Sequence, residues 1–155
     1  MINEHFPIFE RRKGHYLLST DKAKLDVETV YKYLSEEAYW STGIKREVID
    51  RAMTYAMSFG IYFDDNGRLL QAGYGRVTSD YAKFAYIADV FVLEPYQGNG
   101  LGKWLMESIL MHPELKDVGW WHLHTKDAQG LYEQFGFSEY PTPDRYLTFI
   151  NKKED

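Results

Sequence analysis

The chain has 155 residues, a net charge of −5 and no cysteine. That length supports one domain, residues 1–155, with a buried core. The missing cysteine excludes disulfides, thiolate metal sites and a cysteine nucleophile, and it fits a reducing, cytoplasmic setting. An acidic balance argues against a nucleic-acid surface, which needs a clustered basic face. No apolar stretch reaches membrane length. Arg11, Arg12 and Lys13 are not followed by the apolar run of a secretory leader. The 13 tyrosines and 4 tryptophans supply core and can also wall a ligand cleft.

In chain order, residues 15–19 read as a strand. Asp26 is placed to cap a helix reaching about residue 36, with Val27, Val30, Tyr31 and Leu34 on one stripe. Residues 39–43 form a loop. A second helix carries Val48, Ile49, Ala52, Met53 and Ala56 on one side. Residues 59–63 read as a strand, and Asp64-Asp65-Asn66-Gly67 is a hairpin signal. The next strand, 68–77, holds Gly73 and Gly75, which suggest a bulge or a close backbone approach.

Residues 84–93 are almost entirely apolar, with Asp89 as the one charge. That pattern predicts a strand covered on both faces. A tight turn follows, Gln97-Gly98-Asn99-Gly100-Leu101-Gly102, and then a helical pattern that stops at Pro113, with His112 at its end. Residues 118–125 read as a strand and 128–135 as a short helix, with Asp127 as a candidate cap. Residues 137–140 and 146–150 read as two last strands. The expected order is βααβββαβαββ.

A strand, a glycine turn and a helix together make a candidate phosphate cradle. Glycine allows close approach and positive φ, and the first helical N–H groups have no partner within the helix. The turn is not a Walker loop, because Gln97 and Trp104 stand at that motif's first and last positions. Nor is it a dinucleotide fingerprint, because Gly98, Gly100 and Gly102 give G-x-G-x-G. Gln97, Gly100 and Gly102 do match Q/R-x-x-G-x-G/A. Downstream, Ala128, Leu131, Tyr132, Gly136 and Phe137 match A-x-x-L-Y-x-x-x-G-F. In this pair of motifs, in this order, the chain resembles the GNAT superfamily (Gcn5-related N-acetyltransferases) from about residue 77 to 137.

The resemblance implies an α/β fold with a mixed, mostly antiparallel sheet flanked by helices. It implies acetyl transfer from acetyl-CoA to a primary amine by direct attack, with no metal. The pantetheine arm would lie along Val90, Phe91 and Val92, with the Val92 N–H polarising the thioester carbonyl. Gln97, Gly98, Asn99, Gly100, Leu101, Gly102 and Lys103 would hold the pyrophosphate. Tyr132 matches the tyrosine that protonates the leaving thiolate. Thr125 stands where the family often has asparagine against the cofactor arm.

The chemistry needs a neutral amine, which at pH 7 costs a lysine-like group roughly 4–5 kcal/mol. Asp89 is either the base or a structural anchor, and Glu94 is a second candidate or a solvated loop acid. His122 and His124 alternate on one strand face, like Trp120. They read as sheet surface, since no third ligand with metal spacing accompanies them. The acceptor would be lined by Tyr39, Trp40, Ser41 and Thr42, by Tyr74 and Arg76, and by Asp80 and Tyr81. Aromatic walls with Asp89 suit a cationic amine, whereas Arg76 suits a substrate carboxylate. The rival readings are a non-catalytic acyl-CoA sensor and a transferase of bulkier acyl groups. A homodimer is a further expectation, and neither a membrane nor a nucleic-acid partner is expected.

Overall fold

In a computed structural model, residues 6–151 are described. The chain divides into two compact units, one ending at His124 and the other beginning at Thr125. The first unit is built on one six-stranded sheet in the order β1 to β6. Its strands are β1 (Glu10–Lys13), β2 (Tyr16–Ser19), β3 (Met57–Asp65), β4 (Arg68–Ser79), β5 (Phe84–Val92) and β6 (Trp120–Leu123). Neighbours run antiparallel except β5 and β6, which are parallel. This is the mixed, mostly antiparallel sheet flanked by helices that the sequence implied.

Helix α1 (Val27–Lys32) begins where predicted. The Asp26 carboxylate accepts from the Thr29 N–H at 3.2 Å, satisfying one of the donors a helix start leaves open. It runs into a π-helical turn (Tyr33–Glu37), and α2 (Arg46–Tyr55) follows. Val30, Leu34 and Ala38 join Ile49 and Met53 of α2 over Tyr74 and Phe91 of the sheet. On the other face, α3 (Leu101–Met111) sits over Gly75, where an added Cβ would meet Leu105 at 3.2 Å. Phe59, Ile61, Leu105, Met106 and Ile109 are fully buried.

The β3–β4 hairpin turns at Asn66 and Gly67, both at positive φ, as a two-residue primed turn requires. The ladder between β4 and β5 slips between Tyr74 and Arg76, so Gly75 lies at the bulge that the two strand glycines suggested.

Three expectations are corrected. β1 is an additional strand, unpredicted because Glu-Arg-Arg-Lys has no apolar alternation. In the second unit α4 (Gln129–Glu133) forms, but its start is held by the Thr125 hydroxyl, which accepts from the Ala128 N–H at 3.0 Å, and not by Asp127. Residues 137–140 and 146–150 are not strands, so the order among the described residues is ββααβββαβα. The Tyr-Leu-Thr-Phe-Ile segment has strand propensity, but propensity is realised only against a neighbouring strand. Leu147 and Phe149 are instead about nine-tenths exposed (91% and 89%).

Candidate active site

The site begins at the bulge. Asp89 stands at φ +56°, a left-handed conformation that Asp tolerates better than most residues. The extra residue turns its carboxylate out of the ladder and toward two donors. Arg76 Nε donates to Oδ2 at 2.6 Å, and Trp40 Nε1 of the α1–α2 loop donates to Oδ1 at 2.8 Å. Both oxygens are therefore engaged, and the side chain is 11% exposed. Charge-assisted bonds in so sheltered a place hold geometry well. Trp40 also meets Tyr39 edge-on and lies beside Tyr33, which stacks on Phe91. The aromatic loop is thus tied to the sheet through Asp89, with Tyr39 and Trp40 still about half exposed.

The pairing of β5 with β6 ends at Ile87↔Leu123, and among the described residues β5 has no strand partner on its β6 side beyond Ile87. The Leu93 N–H donates to Ala72 O on the β4 side at 2.8 Å. Alternation along a strand then points the Val92 N–H and C=O the other way. The Val92 carbonyl accepts from the Gln97 side chain at 2.9 Å. Gln97, the first residue of the glycine motif, therefore ties the turn to the strand.

The turn itself is a nest of backbone donors. A short 3-10 turn, Glu94–Tyr96, packs Tyr96 against Phe63 and Tyr16. Gly98 and Gly100 follow at φ +84° and +72°, and Gly100 caps α3. A Cβ at Gly98 would meet nothing within 4 Å, and one at Gly100 would meet only Lys13 Nζ, at 3.8 Å. The glycines here answer a backbone requirement and not tight packing. Positive-φ turns that open a helix aim N–H groups at one point, which suits an anion. Lys103 lies exposed in the first helical turn. Lys13 is a cation the sequence reading missed, because only the β1–β2 pairing carries it there.

Other predicted residues lie elsewhere. Tyr74 is wholly buried, lies tilted beside Phe91 and bonds to Ser58 Oγ at 3.1 Å. Burial pushes its hydroxyl up to about 12. It is core and not acceptor wall, because its parity on β4 aims it under α1 and α2. Tyr81 packs edge-on to Phe6 at the β4–β5 turn, at the far end of β5 from the bulge. Asp80 accepts from three successive N–H groups of that turn. Ser41 and Thr42 hydroxyls donate to the Leu34 and Ala38 carbonyls, bracing the aromatic loop. Glu94 is exposed at the head of the 3-10 turn. In the second unit Tyr132 is buried and meets Phe137 edge-on. A cavity of about 500 Å³ lined by Phe6, Asp21, Lys22, Ser58 and His112 includes none of the predicted site residues. Among the described residues no group of three acidic or histidine side chains could hold a metal.

The family model described as "Acetyltransferase (GNAT) domain" matches residues 57–139, just over half of the chain. The chain belongs to this family. A GNAT-family protein of Xanthomonas campestris pv. campestris, provisionally named an acetyltransferase, is 36% identical. It has a TM-score of 0.82 and aligns over 88% of this chain and 94% of its own. A Gibberella zeae protein with a similarly provisional acetyltransferase name is 28% identical over 83% of this chain and 82% of its own. A GNAT-family acetyltransferase of Elizabethkingia anophelis with acetyl-CoA bound shares the fold, at 17% identity, TM-score 0.59 and 90% of each chain.

Proposed function

We propose that the chain, as one domain over residues 1–155, is an N-acetyltransferase that moves an acetyl group from acetyl-CoA to a primary amine. The carrying observation is the glycine turn. Gly98 and Gly100 at positive φ open α3 with Lys13 beside Gly100, at the end of a strand whose far half has no β6 partner among the described residues. That combination suits a pyrophosphate next to an extended pantetheine arm. The family match runs across the boundary at Thr125, which supports a single domain. Acetyl-CoA bound to a protein of the same fold supports the donor.

Acetyl-CoA supplies an activated acyl group. The Val92 N–H donates to the thioester oxygen as it gains negative charge, a fixed dipole acting where charge develops. The amine nitrogen forms the C–N bond, the C–S bond breaks, and the amine gives up a proton. Tyr132 donates a proton to the departing thiolate. A phenol is a weaker acid than a thiol, so it carries its proton at neutral pH and can donate it to a departing thiolate. Asp89 holds Arg76 and Trp40 in place beside the acceptor, because both its oxygens are already engaged.

The test is release of free CoA from acetyl-CoA across a panel of amines, amino acids and peptides. Transfer to at least one amine class supports the reading. Tight acetyl-CoA binding with no transfer to any of them would instead mark a sensor module. Competition among acyl-CoAs of increasing chain length decides between acetyl and bulkier donors.

A further inference from the structure

We infer that His124 is the proton acceptor for the amine, held by Tyr86 over a floor made by Ala88. The inference rests on the amine-transferase reading above.

The face of the sheet decides it. Tyr74 lies in the core under α1 and α2, so Arg76, two residues on, projects from the same face. Arg76 pairs with Ala88, and Thr78 pairs with Tyr86. On β5 the alternate residues Ala85 and Ile87 are buried on the other face. Tyr86 pairs with His122 and Ile87 with Leu123. The ladder ends there, and His124 follows directly on β6. Arg76, Ala88 and Tyr86 share one face of the sheet, and His124 joins it through its contact with Tyr86. The small methyl of Ala88 on that face leaves room for an amine and its carbon chain.

His124 is also oriented. Its Nδ1 is hydrogen-bonded to the Tyr86 hydroxyl, and the two rings lie 5.7 Å apart at their centroids. Among the described residues this is the hydrogen bond the ring makes, and the residue is exposed. When Nδ1 carries the proton and gives it to the phenol oxygen, Nε2 bears the lone pair. An imidazole is the side chain best matched to accept a proton near neutral pH. Asp89 is a poorer candidate, since Arg76 and Trp40 occupy both its oxygens. The titratable or charged groups on this face are Tyr86 on β5, His122 on β6, and Arg76 with Asp89 at the bulge. Lys126 follows two residues on in the sequence. In the step itself the amine N–H bond breaks and its proton passes to Nε2 as nitrogen bonds to the acyl carbon.

The experiment is the pH profile of kcat/KM for an amine the wild type accepts, in wild type, His124→Gln, Tyr86→Phe and Asp89→Asn. Acetyl-CoA affinity is measured alongside. The expected result is an acidic limb that disappears in His124→Gln, with about a hundredfold loss of rate and unchanged acetyl-CoA affinity. Tyr86→Phe, which only positions the ring, keeps the limb with a smaller loss. An unaltered limb and rate in His124→Gln overturns the inference and leaves the transferase reading standing. A limb lost only in Asp89→Asn or Tyr86→Phe also overturns it. A wild type that binds acetyl-CoA yet transfers to no amine overturns both.

Discussion

Arg76 Nε and Asp89 Oδ2 meet at 2.6 Å across the bulge between β4 and β5, with side chains 23% and 11% exposed. The pair anchors a strained backbone residue, an aromatic loop and a cation at one point. Asn keeps the left-handed backbone but loses the charge. Asp89→Asn should cost about 1–3 kcal/mol by leaving Arg76 poorly compensated. It should also raise KM for the acceptor while acetyl-CoA affinity holds. Urea unfolding and steady-state kinetics check both parts. Unchanged stability and unchanged KM would mean that the pair organises nothing.

Gly100 opens α3 at φ +72° with space around its Cα. A β-branched residue is strained at that φ and shields the N–H groups of the turn. Gly100→Val should fold, with a lower Tm, and bind acetyl-CoA at least tenfold more weakly by calorimetry. Wild-type affinity in the folded variant would remove the turn from the donor site.

Gly60 has a different reason to be glycine. A Cβ there would lie 2.2 Å from the Tyr62 hydroxyl oxygen and 2.5 Å from the ring carbon bearing it. Tyr62 is buried, so its ring has little room to move. Gly60→Ala should destabilise by about 1–3 kcal/mol through overpacking, read as a lower urea midpoint with the same m-value. A variant as stable as wild type would show that Tyr62 can swing aside.

His112 caps the end of α3, wholly buried, between the rings of Phe9 and Phe59. Its Nδ1 accepts from the Glu114 N–H at 3.1 Å, and Nε2 has no partner among the described residues. Burial lowers its pKa from the ordinary 6.5. The unfolded chain therefore takes up a proton as pH falls through 6.5 while the folded chain does not. Stability from this group is full above 6.5 and declines below it, until the folded pKa is reached. Asp21, Asp64 and Asp80, each lowered from 3.8 by hydrogen bonds, contribute only at more acidic pH. Urea unfolding between pH 7.5 and 5 should show the decline, and His112→Phe should flatten it. An equal slope in the variant would assign the effect to other groups.

The central unit was legible because its signals are local. The strand at β5, the glycine turn and the helix stop before Pro113 each form on signals within their own few residues, but β5 is not covered on both faces as read, since only Ala85, Ile87 and Phe91 are buried. Asp26 capped its helix, and Gly73 and Gly75 marked the bulge, for the same reason. What was not legible depends on partners far along the chain. Lys13 reaches Gly100 only because β1 pairs with β2. Tyr74 looked like a cleft residue by its place on β4, but α1 and α2 cover that side of it. Asp89 read as either base or anchor, and its bonds to Trp40 and Arg76 were not legible because both partners are distant in the chain. His124 read as sheet surface, and it is exposed; its contact with Tyr86 was not legible because it arises from the parallel pairing of β5 with β6.

The glycine turn is proposed to hold an acyl-CoA. Thermal unfolding with acetyl-CoA, and with NAD and ATP as controls, addresses it most directly. Ligand at about 100 times its Kd adds about 2.7 kcal/mol to native stability, which for a chain of this size is about 5–10 °C. That rise is expected with acetyl-CoA and is lost in Gly100→Val, with no comparable rise for NAD or ATP. No rise with acetyl-CoA at millimolar concentration, or an equal rise with all three, would contradict it.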